Sequence, residues 1–260
     1  MRTAAVNWAQ RLLGRLRRPA PEIPDTLWLQ ALHDCPMLSR RPLADVWRLR
    51  QLSARFLQDK EFSVAGDLEL DDRMALAIAA QACVPVIHLD LSLYDGFVGI
   101  VIQPGEVDVQ RTWSDEIGLV HSRRDTLSGE IVPGGPVMLS WPDVQQGRHA
   151  METGYNVVIH EFAHVIDAAD GHVDGLPPMP DRATQERWLR VRDAAFERLV
   201  QQADEDRPGV LDPYGAESLE EFFPVACESY FSQGRRLRRA EPELYQLLSD
   251  YFRQDSAAFL

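Results

Sequence analysis

His160-Glu161-Phe162-Ala163-His164 is the stretch of this chain whose residue types and spacing point to definite chemistry. In a helix, residues four apart lie one above the other on one face, so both imidazoles can reach a single cation. Glu161 falls about 100° round the helix, too far for an easy third ligand but well placed to take a proton from a water that the metal activates. That water is the prospective nucleophile. Val157, Val158 and Ile159 precede the motif and Val165 and Ile166 follow it, so the helix is expected to be buried. Burial suits the chemistry, because imidazole ligates only when neutral and a low-dielectric site favours the neutral form. Asp167, three residues after His164, returns to the histidine face. It is expected to accept the free N–H of a ligand histidine and so fix its tautomer.

Catalytic zinc usually has three protein ligands and one open position, so a working site needs one more donor from elsewhere. His33, His88, His121 and His149 offer no helical segment beyond the motif, and His172 sits in the loop Asp170-Gly171-His172-Val173-Asp174-Gly175, which reads as a helix stop. Carboxylates placed among core residues are stronger candidates, and the segment Glu220 to Phe231 carries them. Glu221 and Glu228 are two turns apart near one face, so one can bind zinc while the other buttresses a histidine or a backbone group. Spacing alone leaves these two equal. Tyr214, in the Pro- and Gly-held turn Leu211-Asp212-Pro213-Tyr214-Gly215, is a candidate donor to the oxyanion that develops during amide hydrolysis.

Taken together, His-Glu-Phe-Ala-His-Val-Ile-Asp, then Asp212-Pro213-Tyr214, then Glu221-x-Phe-x-Val-x-x-Glu228 resemble the Mlc titration factor A family of zinc-dependent bacterial peptidases. The likeness extends upstream through Tyr94-Asp95-Gly96-Phe97, the segment Trp113 to Ser122, and Gly135-Pro136-Val137-x-Leu139-Ser140-Trp141, and so covers roughly residues 40 to 255. The resemblance implies that His160, His164 and Glu221 are the zinc ligands and Glu161 the general base. It also implies a core similar to the lethal factor peptidase domain, aminopeptidase-type activity on a peptide substrate, and binding of a Mlc-like transcriptional repressor in the cytoplasm. Two rival readings share the same ligands: a binding protein that sequesters a repressor with the metal site residual, and a zinc amide hydrolase of non-peptide substrates.

Composition sets limits on partners. The chain has 260 residues, 45% of them hydrophobic and 26% charged, which suits a soluble globular protein large enough to bury a catalytic core. The net charge is −13, and five arginines (Arg2, Arg11, Arg15, Arg17 and Arg18) precede the first acid, Glu22, so the remainder is more acidic still. Such a body argues against direct binding of nucleic acid or general affinity for anionic membrane. No transmembrane segment and no signal-peptide core are legible. Residues 1–24 read as a basic, flexible extension. Cys35, Cys83 and Cys227 are odd in number and widely spaced, as in a reduced cytosolic protein.

The elements that must position the motif follow from periodicity. Leu27 to Leu32 and Leu43 to Leu57 carry helical spacing, Met74 to Cys83 reads as a further helix, and residues 25–84 form a helical N-terminal portion. Residues 85–260 are expected to form the zincin-like catalytic domain. Phe97 to Ile102 has strand character and is expected to open the sheet. Val137 to Trp141 is expected to be an edge strand that pairs with extended substrate. Gly134-Gly135 lacks the setting of a phosphate-binding loop. Pro177-Pro178-Met179-Pro180 leads into a helix from Ala183 to Ala203, and Leu244 to Phe252 is an amphipathic end. Arg235, Arg236, Arg238 and Arg239 form a basic cluster read as a solvated turn, with contact to a substrate carboxylate or acidic partner left open. The fold class expected is α+β: a mostly α zincin with a small mixed sheet.

Overall fold

A computed structural model describes residues 22–105, 107–114, 120–127, 129–131 and 135–259. The basic arm before residue 22, part of the segment Trp113 to Ser122, and Gly134 lie outside the described residues. The architecture is mostly α with a small mixed sheet, as the sequence leads one to expect.

Helices α1 (Asp25–Asp34), α2 (Pro36–Ser39) and α3 (Leu43–Asp59) lead into strand β1 (Glu61–Val64), and α4 (Asp72–Ala82) follows. Pro24 and Pro42 stand at the N-caps of α1 and α3, where their missing N–H groups cost nothing. Next come β2 (Gly99–Gln103), an antiparallel hairpin β3 (Val107–Ser114) and β4 (Val120–Leu127), β5 (Gly129–Ile131) and β6 (Val137–Ser140). The main sheet has the order β1-β2-β6-β5, parallel throughout except for β5, which runs antiparallel to β6 with Glu130 opposite Met138.

Two strand expectations are corrected. The sheet opens at β1, not at Phe97: Glu61-Phe62-Ser63-Val64 is too short for its periodicity to separate it from the end of α3. Val137–Ser140 is interior, hydrogen-bonded to β2 on one side and β5 on the other, and Trp141 already begins helix α5 (Trp141–Gln146). The edge on that side is β5, which lies against the motif helix.

The remaining helices are α6 (Ala150–Thr153), α7 (Val157–Asp167), α8 (Arg182–Asp204), α9 (Leu219–Ser232), α10 (Gly234–Ala240) and α11 (Pro242–Phe252). One apolar cluster runs from Ile23 to Ala257 and takes in α7 and the sheet. Phe162, on α7, is fully buried among Phe56, Tyr94 and Phe97, with ring centroids 5.5, 5.0 and 5.7 Å away in tilted or edge-on contact. Each such pair adds about 0.5–1.5 kcal/mol beyond area burial and fixes the rotation of α7 about its axis. Tyr94 is itself held by its hydroxyl, which donates to the Ala82 carbonyl at 2.7 Å.

Candidate metal centre

Helix α7 carries the two histidines, and its start is set by Asn156. The Asn156 side chain accepts from the Ile159 N–H at 2.9 Å and donates to Gln81 on α4 at 2.8 Å, so the cap is tied to the core rather than left to solvent. The close approach of Gly147 serves this contact, since a Cβ there would meet Gln81 Oε1 at 2.9 Å and Asn156 Nδ2 at 3.0 Å. Every residue of α7 except His164 is buried, as the apolar flanks of the motif require.

Helix α9 packs against α7 and supplies the carboxylates. Ser218 caps it by accepting the N–H of Glu221 at 3.3 Å. Glu221 and Glu228 both face α7, as two turns of helix dictate. Glu221 Oε2 lies 3.2 Å from His160 Nε2 and 3.3 Å from His164 Nε2. Glu228 takes the other nitrogen of His160, with Oε1 at 2.8 Å from Nδ1, while its Oε2 accepts the backbone N–H of Asn156. Spacing could not separate these two acids; the tertiary placement gives them different partners. Among the described residues, His160, His164 and Glu221 are the one set whose donor atoms converge as a metal would need, all within 4.8 Å of one another.

Asp167 does not reach a histidine in the way its position on the helix leads one to expect. Its Oδ2 accepts the Gly175 N–H at 2.8 Å, and Oδ1 is buried without a hydrogen-bond partner. Asp167 lies in the last turn of α7, where the chain folds back, so it closes the following loop while Glu228 meets His160 instead. That loop is stapled from three sides: Trp188 donates to the Gly175 carbonyl at 2.9 Å, Arg192 to the Asp174 carbonyl at 2.8 Å, and Gly175 sits at φ +74° against the Leu219 carbonyl. His172 stays in this loop, its N–H on Asp170 Oδ1 at 3.1 Å, apart from the converging set. Tyr214 lies in a 3₁₀ turn, Pro213–Ala216, capped by Asp212, and its ring centroid is 6.0 Å from that of His160. Gly215 lets this turn press onto α8 and α9, because a Cβ there would stand 3.1 Å from Val225 and 3.2 Å from Leu199.

Electrostatics sharpen the picture. Burial resists a charge on His160, but the hydrogen bonds of Glu221 and Glu228 outweigh it and raise its pKa well above the ordinary value. Burial pushes Glu221 upward, and the bonds from both imidazoles overcome it, holding that carboxylate well below the usual range. These opposed directions are those of a protonated imidazole beside a carboxylate, at a place where a metal would compete with the proton for the imidazole lone pair. Glu161 is 4% exposed, its pKa raised by burial, and its Oε2 is buried with no hydrogen-bond partner. Burial likewise raises Glu228 against the opposing pull of His160. Two imidazoles, one carboxylate and an orphaned carboxylate oxygen beside them fit a hard-to-borderline divalent ion such as zinc.

Comparison with known proteins places the chain in a metallo-peptidase family. The chain belongs to the family described as glucose-regulated metallo-peptidase M90, whose model matches residues 7–253. Among its relatives, Mlc titration factor A of Klebsiella pneumoniae subsp. pneumoniae is 34% identical over 234 residues, which is 89% of this chain and 87% of that one. Mlc titration factor A of Pectobacterium atrosepticum is 33% identical over 245 residues, 92% and 91% of the two chains. A protein of Synechocystis sp. is 31% identical over 250 residues, 95% of this chain and 88% of that one. Among the described residues no helix is long and apolar enough to cross a membrane.

Sequence reasoning missed Asn156 and Gln81, which set the start of α7 and tie Glu228 to it. An Asn three residues before Ile159 at the head of an apolar run is an N-cap signal. Nothing in the sequence marks Gln81 as its partner.

Proposed function

We propose that this chain is a zinc-dependent peptidase of the aminopeptidase type, acting on peptide substrates in the cytoplasm. The observation that carries the reading is the convergence of His160 Nε2 and His164 Nε2 on Glu221 Oε2, at 3.2 and 3.3 Å, with His160 Nδ1 already committed to Glu228. His160, His164 and Glu221 would hold the zinc, which would supply Lewis acidity toward the scissile carbonyl and a water. Glu161 accepts the proton of the attacking water and later returns it to the leaving amine. Glu228 keeps the His160 Nδ1 proton in place, which leaves Nε2 as the donor to metal. Tyr214, beside the His160 ring, donates to the oxyanion. An extended peptide would pair with the backbone of β5, the sheet edge against α7.

Metal analysis with a peptide-cleavage assay, with and without chelator, tests the reading. Glu161→Gln is expected to abolish turnover with zinc content nearly unchanged, and Glu221→Ala to lose zinc. Full activity in the first variant ends the general-base role. A panel of amino-acid anilides against acylated amines separates a peptidase from a hydrolase of other amides.

The name Mlc titration factor A, borne by the relatives, supports a second role in binding a Mlc-like transcriptional repressor. Repressor binding by the Glu161→Gln variant is expected to survive; its loss would tie association to the chemistry.

A further inference from the structure

Behind the metal centre a line of buried polar contacts starts on α4 and ends on the His160 imidazole. Gln81 donates through Nε2 to the Ala77 carbonyl of its own helix at 3.0 Å. Its Oε1 is therefore the end turned to Asn156, whose Nδ2 donates to it at 2.8 Å. That contact leaves Asn156 Oδ1 for the Ile159 N–H at 2.9 Å, while the Asn156 carbonyl accepts the His160 N–H at 3.0 Å and the Asn156 N–H donates to Glu228 Oε2. Glu228 Oε1 then meets His160 Nδ1 at 2.8 Å. Two further bonds hold the chain before Asn156 to α9: Ser232 donates to the Gly154 carbonyl at 3.3 Å and Gln233 to the Glu152 carbonyl at 3.0 Å.

We propose that Gln81 is a positioning residue of the metal centre, acting through Asn156 and Glu228 to hold His160 with its proton on Nδ1 and Nε2 free for the ion. The inference rests on the reading that His160, His164 and Glu221 bind a metal. Asn156 is fully buried, so a leucine at position 81 would leave its Nδ2 donor without that acceptor and away from water. The amide recovers a partner by turning its oxygen away from Ile159 or by shifting the head of α7. Either movement loosens the segment whose N–H holds Glu228, and a carboxylate that loses one of its two donors is free to swing off Nδ1. Gln81 bonds to Ala77 and Asn156, not to a ligand of the ion, so its influence falls on metal affinity and imidazole orientation rather than on proton transfer.

Zinc affinity of the full chain, measured by competition against a chromophoric chelator, tests it together with the His160 Nδ1–H signal followed by NMR in the zinc-loaded protein. Gln81→Leu is expected to bind zinc about tenfold more weakly, the lower end of what loss of a supporting partner costs, and to broaden or lose the Nδ1–H signal. Gly147→Ala, whose Cβ would press on Gln81 Oε1 at 2.9 Å and Asn156 Nδ2 at 3.0 Å, is expected to move both readouts the same way by less, and it carries the test if Gln81→Leu does not fold. Tyr94→Phe is the control, since it removes a buried bond to the Ala82 carbonyl, next to Gln81 on α4. It is expected to lower the unfolding temperature and leave zinc affinity and the Nδ1–H signal unchanged. Parent-level affinity and signal in the folded variants, or equal weakening by Tyr94→Phe, would overturn the inference and leave the metal reading standing. A parent chain that binds no zinc would overturn both.

Discussion

Replacing Glu228 by Gln probes how the centre is built, because the change keeps size and removes only charge and one acceptor. In the parent, one carboxylate serves two donors: Oε1 faces His160 Nδ1 at 2.8 Å and Oε2 accepts the Asn156 N–H. An amide has a single oxygen, so whichever way it turns, its NH2 group faces another donor at a buried position. One charge-assisted bond becomes neutral and one donor is left unmade, a loss of about 1–3 kcal/mol shared between folding and the orientation of His160. If His160 turns to find another acceptor, Nε2 leaves Glu221 and His164, and zinc affinity falls about tenfold to a hundredfold, the usual cost of removing such a supporting partner. Competition against a chromophoric chelator measures the affinity, and a circular-dichroism melt measures the stability share. Parent-like affinity with parent-like stability would refute the supporting role. Loss of zinc as complete as in Glu221→Ala would make Glu228 a ligand in its own right.

Further outcomes follow from the same contacts. Gly175→Ala would bring a Cβ within 2.5 Å of the Leu219 carbonyl at a backbone φ of +74°, so thermal unfolding should show a loss of about 1–3 kcal/mol, whereas the same substitution at open Gly96 should cost far less. Burial raises the Asp167 carboxyl from 3.8 to about 6, so its ionised form costs stability above that value and the cost vanishes as pH falls through both. Asp167→Asn should therefore flatten the pH dependence of stability between these two values; an unchanged slope in denaturant titrations would remove Asp167 as its source. Cys35, Cys83 and Cys227 are buried and burial raises all three thiols, so a thiol reagent should label none in the native protein and all on unfolding.

Much of the helical framework was legible in the sequence. Leu43 to Leu57, Met74 to Cys83 and Ala183 to Ala203 fall within or beside observed helices, because a long apolar stripe repeating every three to four residues has few other solutions. Short strands were not: β1 and β5, of four and three residues, are strands only because neighbours complete their ladders. For the same reason Val137–Ser140 could not declare itself interior, since an edge and a central strand of that length read alike and the partner that decides between them comes from elsewhere in the chain.

The centre divides along the same line. That His160 and His164 share a face and that Glu161 stands to one side could be read from spacing, because helical geometry is local and one turn suffices to state it. Spacing also placed Glu221 and Glu228 on one face of a second helix. Only the packing of α9 on α7 decided that Glu221 meets both Nε2 atoms while Glu228 holds Nδ1 and the helix cap, and that Asp167 is spent on Gly175 instead. Those assignments depend on the offset between two helices. That offset is set by the packing of the whole core, in which Phe162 meets Phe56, Tyr94 and Phe97 while Phe222 meets Phe196, a many-body fit that no local spacing encodes.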